Sequence, residues 1–289
     1  MSQSTTNEIV ALVTGATDGI GRETARALVR RGARVVVHGR KPDRIAETVA
    51  ELESIGGVAQ PPPVTGNFMK LADVRAMGAE LAARPHPLHV LVNNAGVFMN
   101  ERAVTDDGFE LTMAVNHDAP FLLTHLLLPT LRASGRPGAP ARVVNVSSVA
   151  HMRGRIDLAD LDFTRGWSGY GAYAASKLAN VLFTVELARR LTGAGAPVVT
   201  NALHPGVVGT KLLREGFGTD GSESLEEGAA TSVMLALDPI GAEVSGRYFA
   251  AQRESRAAAA ARDPELLRQF YDESARRVGV APLPDPSNS

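Results

Sequence analysis

The chain contains no cysteine. That absence removes disulfides, thiol nucleophiles and thiolate metal ligands together, and it fits a reducing compartment. An excess of charge of either sign is missing too: 30 Lys and Arg stand against 31 Asp and Glu, for a net charge of −1. Such a balance offers no basic field for nucleic acid and no polybasic patch for a membrane surface. Long hydrophobic runs are also absent. The most apolar stretch, residues 121–128, is eight residues long and is interrupted by Thr124 and His125, far short of the ~20 needed to cross a bilayer. The seven histidines form no HExxH pair, and His86 and His89 sit in a Pro-rich turn, so no metal site is expected. No GxSxG elbow is present, which argues against a serine hydrolase. Residues 1–7 are polar and lack the basic and apolar regions of a signal peptide, so a cytoplasmic location is expected.

What is present is the ordinary composition of a globular protein, 44% hydrophobic and 21% charged. At 289 residues the chain can bury a sizeable core. No linker or composition shift divides it, so residues 1–289 read as one domain with its core at about 8–250. A C-terminal helical extension follows, ending in a loose tail at 281–289 with three prolines. The repeated alanines at 257–261 read as part of a surface helix.

Short β-branched runs at 9–13, 34–38, 90–93, 142–147, 198–203 and 247–249 alternate with helical periodicity at 21–31, 43–55, 71–83, 108–131, 170–191 and 224–237. That alternation defines an α/β fold, a doubly wound parallel sheet of about seven strands with helices on both faces. A third strand is expected between Gly57 and Asn67, where Pro61, Pro62 and Pro63 confine it to a sheet edge. Order 3-2-1-4-5-6 puts strand three at such an edge.

The first strand runs directly into Thr14-Gly15-Ala16-Thr17-Asp18-Gly19-Ile20-Gly21 and then a helix. Glycines at that junction let the backbone turn tightly and approach a pyrophosphate lying at the helix N-terminus. The second strand ends in Gly39-Arg40, with Lys41 and Arg44 behind it and no carboxylate. A carboxylate there would hold the ribose 2′-hydroxyl of NAD, whereas a guanidinium matches the 2′-phosphate of NADP. A solvated basic turn would have the same sequence.

Tyr173 and Lys177 lie four residues apart in a helical stretch, so phenol and ammonium share one face. A nearby cation favours the phenolate and is expected to lower the tyrosine pKa from about 10. Ser147 and Ser148 end a strand at the sheet edge where ligands bind. Pro120 stands four residues after Asn116. In a continuous helix it would leave the Asn116 carbonyl without its N–H partner; alternatively Pro120 opens the helix with Asn116 as its cap.

With TGATDGIG at 14–21, NNAG at 93–96, VNHDAPFLLTHLLLP at 115–129, VVNVSS at 143–148, YAASK at 173–177 and HPGVVGT at 204–210, the chain resembles the short-chain dehydrogenase/reductase superfamily across roughly residues 8 to 250. SSVAH, the spacing from Ser148 to Tyr173, and SKLANVLFTVELARRL resemble its retinol-dehydrogenase-like branch. The resemblance implies a Rossmann-type NADP(H)-binding domain. It makes Tyr173 the general acid/base, with Lys177 holding the nicotinamide ribose and Ser148 bonding the substrate oxygen. Asn116 would hold a relay water, and Ser147 would pack or support the cofactor. Gly15, Thr17, Asp18, Gly19, Ile20, Asn94, Ala95 and Gly96 would line the cofactor, and Pro205, Gly206, Val208 and Thr210 would surround its carboxamide. Asn67 stands where the family usually has an Asp against adenine. Animal retinol dehydrogenases often carry a membrane anchor; none is visible here, and no retinoid substrate is carried over from the resemblance.

Two functions remain on these grounds. One is an NADP(H)-dependent oxidoreductase acting on the carbonyl or alcohol of a hydrophobic small molecule; the other is a catalytically idle NADP(H)-binding regulator or scaffold. Intact Asn116, Ser148, Tyr173 and Lys177 favour the enzyme. Residues 207–227, with Leu212, Leu213 and Phe217, read as a lid, and 149–167, with Met152, Ile156, Leu158 and Leu161, as the pocket border. His151 reads either as a pocket residue or as a rim histidine. Related folds dimerise through the helices bearing Asn116 and Tyr173, while members with long Ser-to-Tyr insertions are sometimes monomeric, so both a homodimer and a monomer remain open.

Overall fold

The computed structural model describes residues 9–288. Residues 1–7, read above for targeting signals, and Ser289 lie outside the described residues. The first half runs β1 (Val10–Val13), α1 (Gly19–Arg30), β2 (Arg34–Gly39), α2 (Pro42–Gly56), β3 (Val64–Thr65), α3 (Leu71–Ala82) and β4 (Val90–Asn93). Next come α4 (Leu111–Met113), α5 (Ala119–Ser134), β5 (Ala141–Val146), α6 (Gly169–Gly193) and β6 (Val198–His204). The remainder is α7 (Lys211–Phe217), α8 (Leu225–Leu237), α9 (Pro239–Glu243), β7 (Tyr248–Ala250), β8 (Arg253–Glu254) and α10 (Pro264–Val278).

These strands form one sheet in the order β3-β2-β1-β4-β5-β6-β7-β8. Every pairing is parallel except β7 with β8. All four residues of β1 and of β4 are buried, as continuous Val/Leu runs should be when helices cover both faces. One face packs Leu12, Val36 and Leu91 against Phe121, Leu122, Phe183 and Tyr271; the other packs Val13, Val35 and Val92 against Leu28, Leu52 and Met234. The proline-bounded strand does lie at the edge, and it is two residues long. Arg84 holds the Pro63 carbonyl at 2.9 Å, which fixes the proline run without a ladder.

Three expectations are corrected. The sheet has eight strands rather than about seven, because β8 folds back on β7 through Ala251 and Gln252 at φ 47° and 59°. Gly-free positive-φ turns carry little sequence signal. The 257–261 alanines form no surface helix: Ala259–Arg262 is a 3-10 turn that buries Ala258 and Ala261. Arg190 donates to the Leu283 carbonyl at 2.6 Å and Arg189 pairs with Asp285 at 2.8 Å, so residues through 285 are tied to α6. Finally, the helix expected over 108–131 is interrupted by a π-helical turn, Ala114–Asp118.

Candidate active site

The C-terminal ends of β1, β4, β5 and β6 meet at the middle of the sheet, so their following loops converge there. After β1, Gly15 takes φ +66° and Gly19 φ +51°. A Cβ at Gly21 would lie 2.3 Å from both the Gly15 carbonyl oxygen and Asn94 Nδ2. Only glycine closes this turn, and it aims the N-terminus of α1, where an anion can bind, at the middle of the sheet edge. Asp18 caps α1 by accepting from Gly19 N at 2.8 Å, and Arg44 pairs with Asp18 at 3.3 Å. Thr17 packs where a Cβ on Gly39 would stand 2.7 Å from its methyl. Arg40 is exposed and makes no ion pair among the described residues, so its guanidinium is available at the end of β2.

Two residues that sequence reasoning left out hold this cradle. Thr14 Oγ1 donates to the Val92 carbonyl at 3.2 Å and accepts from the N–H groups of Asn94 and Ala95 at 2.9 and 3.0 Å. Asn94 Nδ2 returns to the Thr14 carbonyl at 2.8 Å. His38 accepts the Gly15 N–H on Nδ1 at 3.1 Å and donates from Nε2 to the Gly66 carbonyl at 3.1 Å. It thereby joins the glycine turn to the loop carrying Asn67, whose Oδ1 accepts from Met69 N at 3.2 Å. Burial pushes His38 down to about 4, which keeps it neutral in that role. A hydroxyl directly before the glycine turn was a visible signal for Thr14; His38 had none.

At the other end, Asn116 lies within the π-helical turn, a feature frequent at functional sites. The backbone stays helical from Asp118 into α5 with Pro120 in its first turn, so Pro120 offers no N–H to the Asn116 carbonyl. Asn116 is not a cap. Its Oδ1 accepts from Val97 N at 2.7 Å, and its Nδ2 donates to the Val97 carbonyl and to Ser176 Oγ at 2.9 and 3.0 Å. A Cβ on Gly96 would meet Asn116 Oδ1 at 3.2 Å and Lys177 Nζ at 3.4 Å, so these two groups converge on one glycine.

Lys177 is buried, and its Nζ donates to the Val146 carbonyl at 3.1 Å. Desolvation lowers its pKa to about 8. Ser147 Oγ donates to the Lys177 carbonyl at 2.7 Å, so this serine supports α6. Ser148 caps the 3-10 turn Val149–Arg153 beside Tyr173. Burial pushes the Tyr173 phenol up to about 12, and the nearby Ser148 hydroxyl acts the other way. The expected lowering by Lys177 is therefore not found: its Nζ points at Val146 and lies 5.6 Å from the centre of the tyrosine ring.

The β6 loop closes the site from above. Gly206 has φ +104°, Val208 is buried, and Thr210 caps α7. Thr210 Cγ2 would lie 3.5 Å from a Cβ on Gly19, and Ile20 and Val208 both meet Gly228, so this loop reaches the phosphate cradle. Pro205 precedes Gly206 in the same loop. Phe98 and Phe217 cover Tyr173, each with its ring 5.5 Å from the tyrosine ring and 4.7 Å from the other. Phe98 was not foreseen. Leu212 packs beside Tyr173 as the lid reading expects. Ile156, Leu158 and Leu161 do not border the pocket but turn into the cluster of α6 and α10, while Met152 is exposed. His151 is fully buried and is not at a rim.

The glycine cradle and the buried cation beside Gly96 together suit a nicotinamide dinucleotide. Fold and site define a doubly wound dinucleotide-binding protein with a serine, tyrosine and lysine at one end of the cradle. The family model for short chain dehydrogenases matches residues 9–219, and the chain belongs to that family, in its retinol-dehydrogenase-like branch. It is 44% identical to the polyprenol dehydrogenase of Mus musculus over 281 residues, covering 94% of this chain and 84% of the relative. Over 298 residues it is 39% identical to retinol dehydrogenase 13 of Homo sapiens, covering 96% and 87%. The Pseudomonas aeruginosa RhlG/NADP active-site complex superposes with a TM-score of 0.68 at 28% identity, covering 84% of this chain and 94% of that one. Among the described residues, no helix is long and apolar enough to cross a membrane.

Proposed function

We propose that the protein is an NADP(H)-dependent oxidoreductase that interconverts an apolar aldehyde or ketone and its alcohol, with Tyr173 as general acid/base. The observation that carries this reading is the convergence of Ser148, Tyr173 and Lys177 in one site covered by Phe98 and Phe217. When bound, NADPH supplies the hydride. Ser148 donates its hydroxyl to the substrate carbonyl oxygen and places it against the Tyr173 phenol. Tyr173, at about 12, stays protonated at neutral pH and gives its proton to that oxygen as negative charge develops. Lys177 holds the ribose hydroxyls with the N–H groups that Val146 leaves free. Its charge beside the tyrosine favours the phenolate that remains and its reprotonation from solvent through the Asn116 side.

Arg40 supports a preference for NADP over NAD, with no carboxylate beside it to hold a 2′-hydroxyl. Phe98, Leu212 and Phe217 favour an apolar substrate. The relatives' names, polyprenol and retinol dehydrogenase, denote apolar alcohols and support the same class. Turnover of NADPH with long-chain aldehydes, lost in Tyr173→Phe with NADPH binding retained, is the expected result. Retained turnover in Tyr173→Phe would remove the tyrosine from the mechanism.

We also propose a monomer. Helix α10 covers the faces of α5 and α6 that related folds use to dimerise: Tyr271 donates to His125 at 2.9 Å, His117 bonds Ser274 at 2.9 Å, and Arg277 pairs with Asp118 at 2.8 Å.

A further inference from the structure

Ser148 is held at its backbone by a residue outside the machinery described above. Its carbonyl accepts two hydrogen bonds from His151, one from the amide at 3.1 Å and one from the ring Nδ1 at 2.6 Å. A carbonyl can only accept, so Nδ1 carries a proton. At the other side of the ring, Nε2 faces the amide of Ala258 at 3.1 Å. An amide N–H can only donate, so Nε2 is bare. Both ends thus select the same neutral tautomer. The ring has no exposure to solvent and packs 4.5 Å from the ring of Tyr248 on β7.

The bond from Ser148 to Ala258 through this ring spans 107 residues from His151. Ala258 lies in the arm between β8 and α10, beyond the stretch that matches the family model. The Ser148 hydroxyl accepts from the Ala150 amide at 3.2 Å within the turn that His151 closes, and Ala150 itself packs against Tyr173. Turning or sliding this short turn would move the hydroxyl relative to the phenol.

We infer that His151 is a positioning residue for Ser148, locking the serine turn to the C-terminal arm at Ala258 so that the hydroxyl stays aimed at the substrate oxygen. The inference rests on the proposed role of Ser148. It gives the C-terminal arm a part in turnover although no residue of the arm is assigned contact with substrate or cofactor.

Histidine ¹⁵N spectra of the full-length protein at pH 7 test the tautomer directly. His151 is expected to carry its proton on Nδ1 with Nε2 bare; a proton on Nε2 overturns the inference whether or not any variant folds. Kinetics with nonanal and NADPH then test its consequence. His151→Phe keeps the packing on Tyr248 but loses both bonds, and kcat is expected to fall roughly 10- to 100-fold, the scale of a sub-ångström to 1 Å misplacement. The KM for NADPH should stay within about twofold. His151→Asn retains a donor for the Ser148 carbonyl and should recover most of kcat, which a purely packing role would not predict. If Ser148→Ala abolishes turnover while His151→Phe leaves kcat unchanged, the positioning role is wrong and the serine's role stands. If Ser148→Ala leaves turnover intact, the reading of Ser148 fails, and the inference fails with it.

Discussion

Lys177 Nζ is bonded to the Val146 carbonyl at 3.1 Å, one acceptor for three N–H groups in a buried site. The structure therefore maintains a poorly solvated cation where the proposed function uses one, at the expense of stability. Keeping its pKa near 8 rather than 10.5 costs the charged folded form on the order of 3 kcal/mol.

Lys177→Met should accordingly raise the melting temperature of the cofactor-free protein at pH 7 while abolishing turnover. The sign follows from linkage: the folded pKa lies below the unfolded one, so the penalty is full below pH 8 and disappears as pH rises toward 10.5. Thermal unfolding at pH 7 and pH 10 checks this. A lower melting temperature at pH 7 would mean the ammonium is well solvated in the fold.

Arg40→Ala should weaken NADPH by roughly 10- to 100-fold and NADH by less than about threefold, since a charged hydrogen bond to phosphate contributes about 1.5–3 kcal/mol. Fluorescence titration with both cofactors decides it. Equal losses would place the 2′-phosphate elsewhere. Gly21→Ala serves as the contrast and should abolish binding of both, because its methyl would occupy the Gly15 carbonyl position.

Phe217→Ala should raise KM for a nine-carbon aldehyde about tenfold and leave that for propanal nearly unchanged. The ring is 37% exposed and rests on Tyr173 and Phe98, so its loss removes apolar contact available only to a long substrate. Equal effects on both substrates would assign Phe217 to loop stability instead.

Acid should destabilise the fold well before its carboxylates are neutralised. Burial holds His38 at about 4 and His117 at about 3, against 6.5 unfolded. Their folded values are depressed, so the stability they contribute is present above pH 6.5 and is lost as pH falls toward 4. At pH 5 the loss is about 2 kcal/mol for each. Burial holds His125 at about 4 as well; urea unfolding at pH 7 and pH 5 measures the sum, and His117→Phe, set among Phe121, Phe183 and Phe270, should reduce the difference by about a third at most. An unchanged difference would show that His117 does not titrate with unfolding.

Arg277 joins α10 to the π-helical turn through Asp118, and to the loop before α6 through Asp162, at 2.8 Å each. Asp118 is fully buried, and burial raises its pKa against the opposing effect of Arg277. Arg277→Met leaves that carboxyl without its partner and should cost about 3–5 kcal/mol in urea unfolding. Sedimentation of the native protein should give a monomer of the mass of one chain. A stable dimer would mean that association uses a surface other than the one α10 covers.

The local chemistry of this protein was legible in its sequence because it depends on short-range geometry. Val/Ile runs, the 14–21 turn and the four-residue step from Tyr173 to Lys177 constrain the backbone within a few residues, and the structure places them as read. The edge position of β3 was legible for the same reason, since Pro61–63 cannot join a ladder. The β7–β8 hairpin was not, because Ala251 and Gln252 adopt positive φ without a glycine to announce it. Nor was the π-helical turn that frees Asn116 from a cap's role.

Amino-acid order alone determined the fold class and set the glycine turn, Asn116, Ser148, Tyr173 and Lys177 on their local elements. Tertiary structure decided what surrounds them. His38 joins strands β2 and β3 to the glycine turn, and Thr14 ties β1 to the loop after β4. His151 reaches Ala258, and α10 lies over α5 and α6. Each depends on hydrogen bonds or burial between segments tens to more than a hundred residues apart, and no local pattern specifies which distant backbone group a buried imidazole or hydroxyl will meet. The same reason accounts for the tyrosine: a lysine four residues away suggested a lowered pKa, but burial, a property of the assembled fold, raised it to about 12.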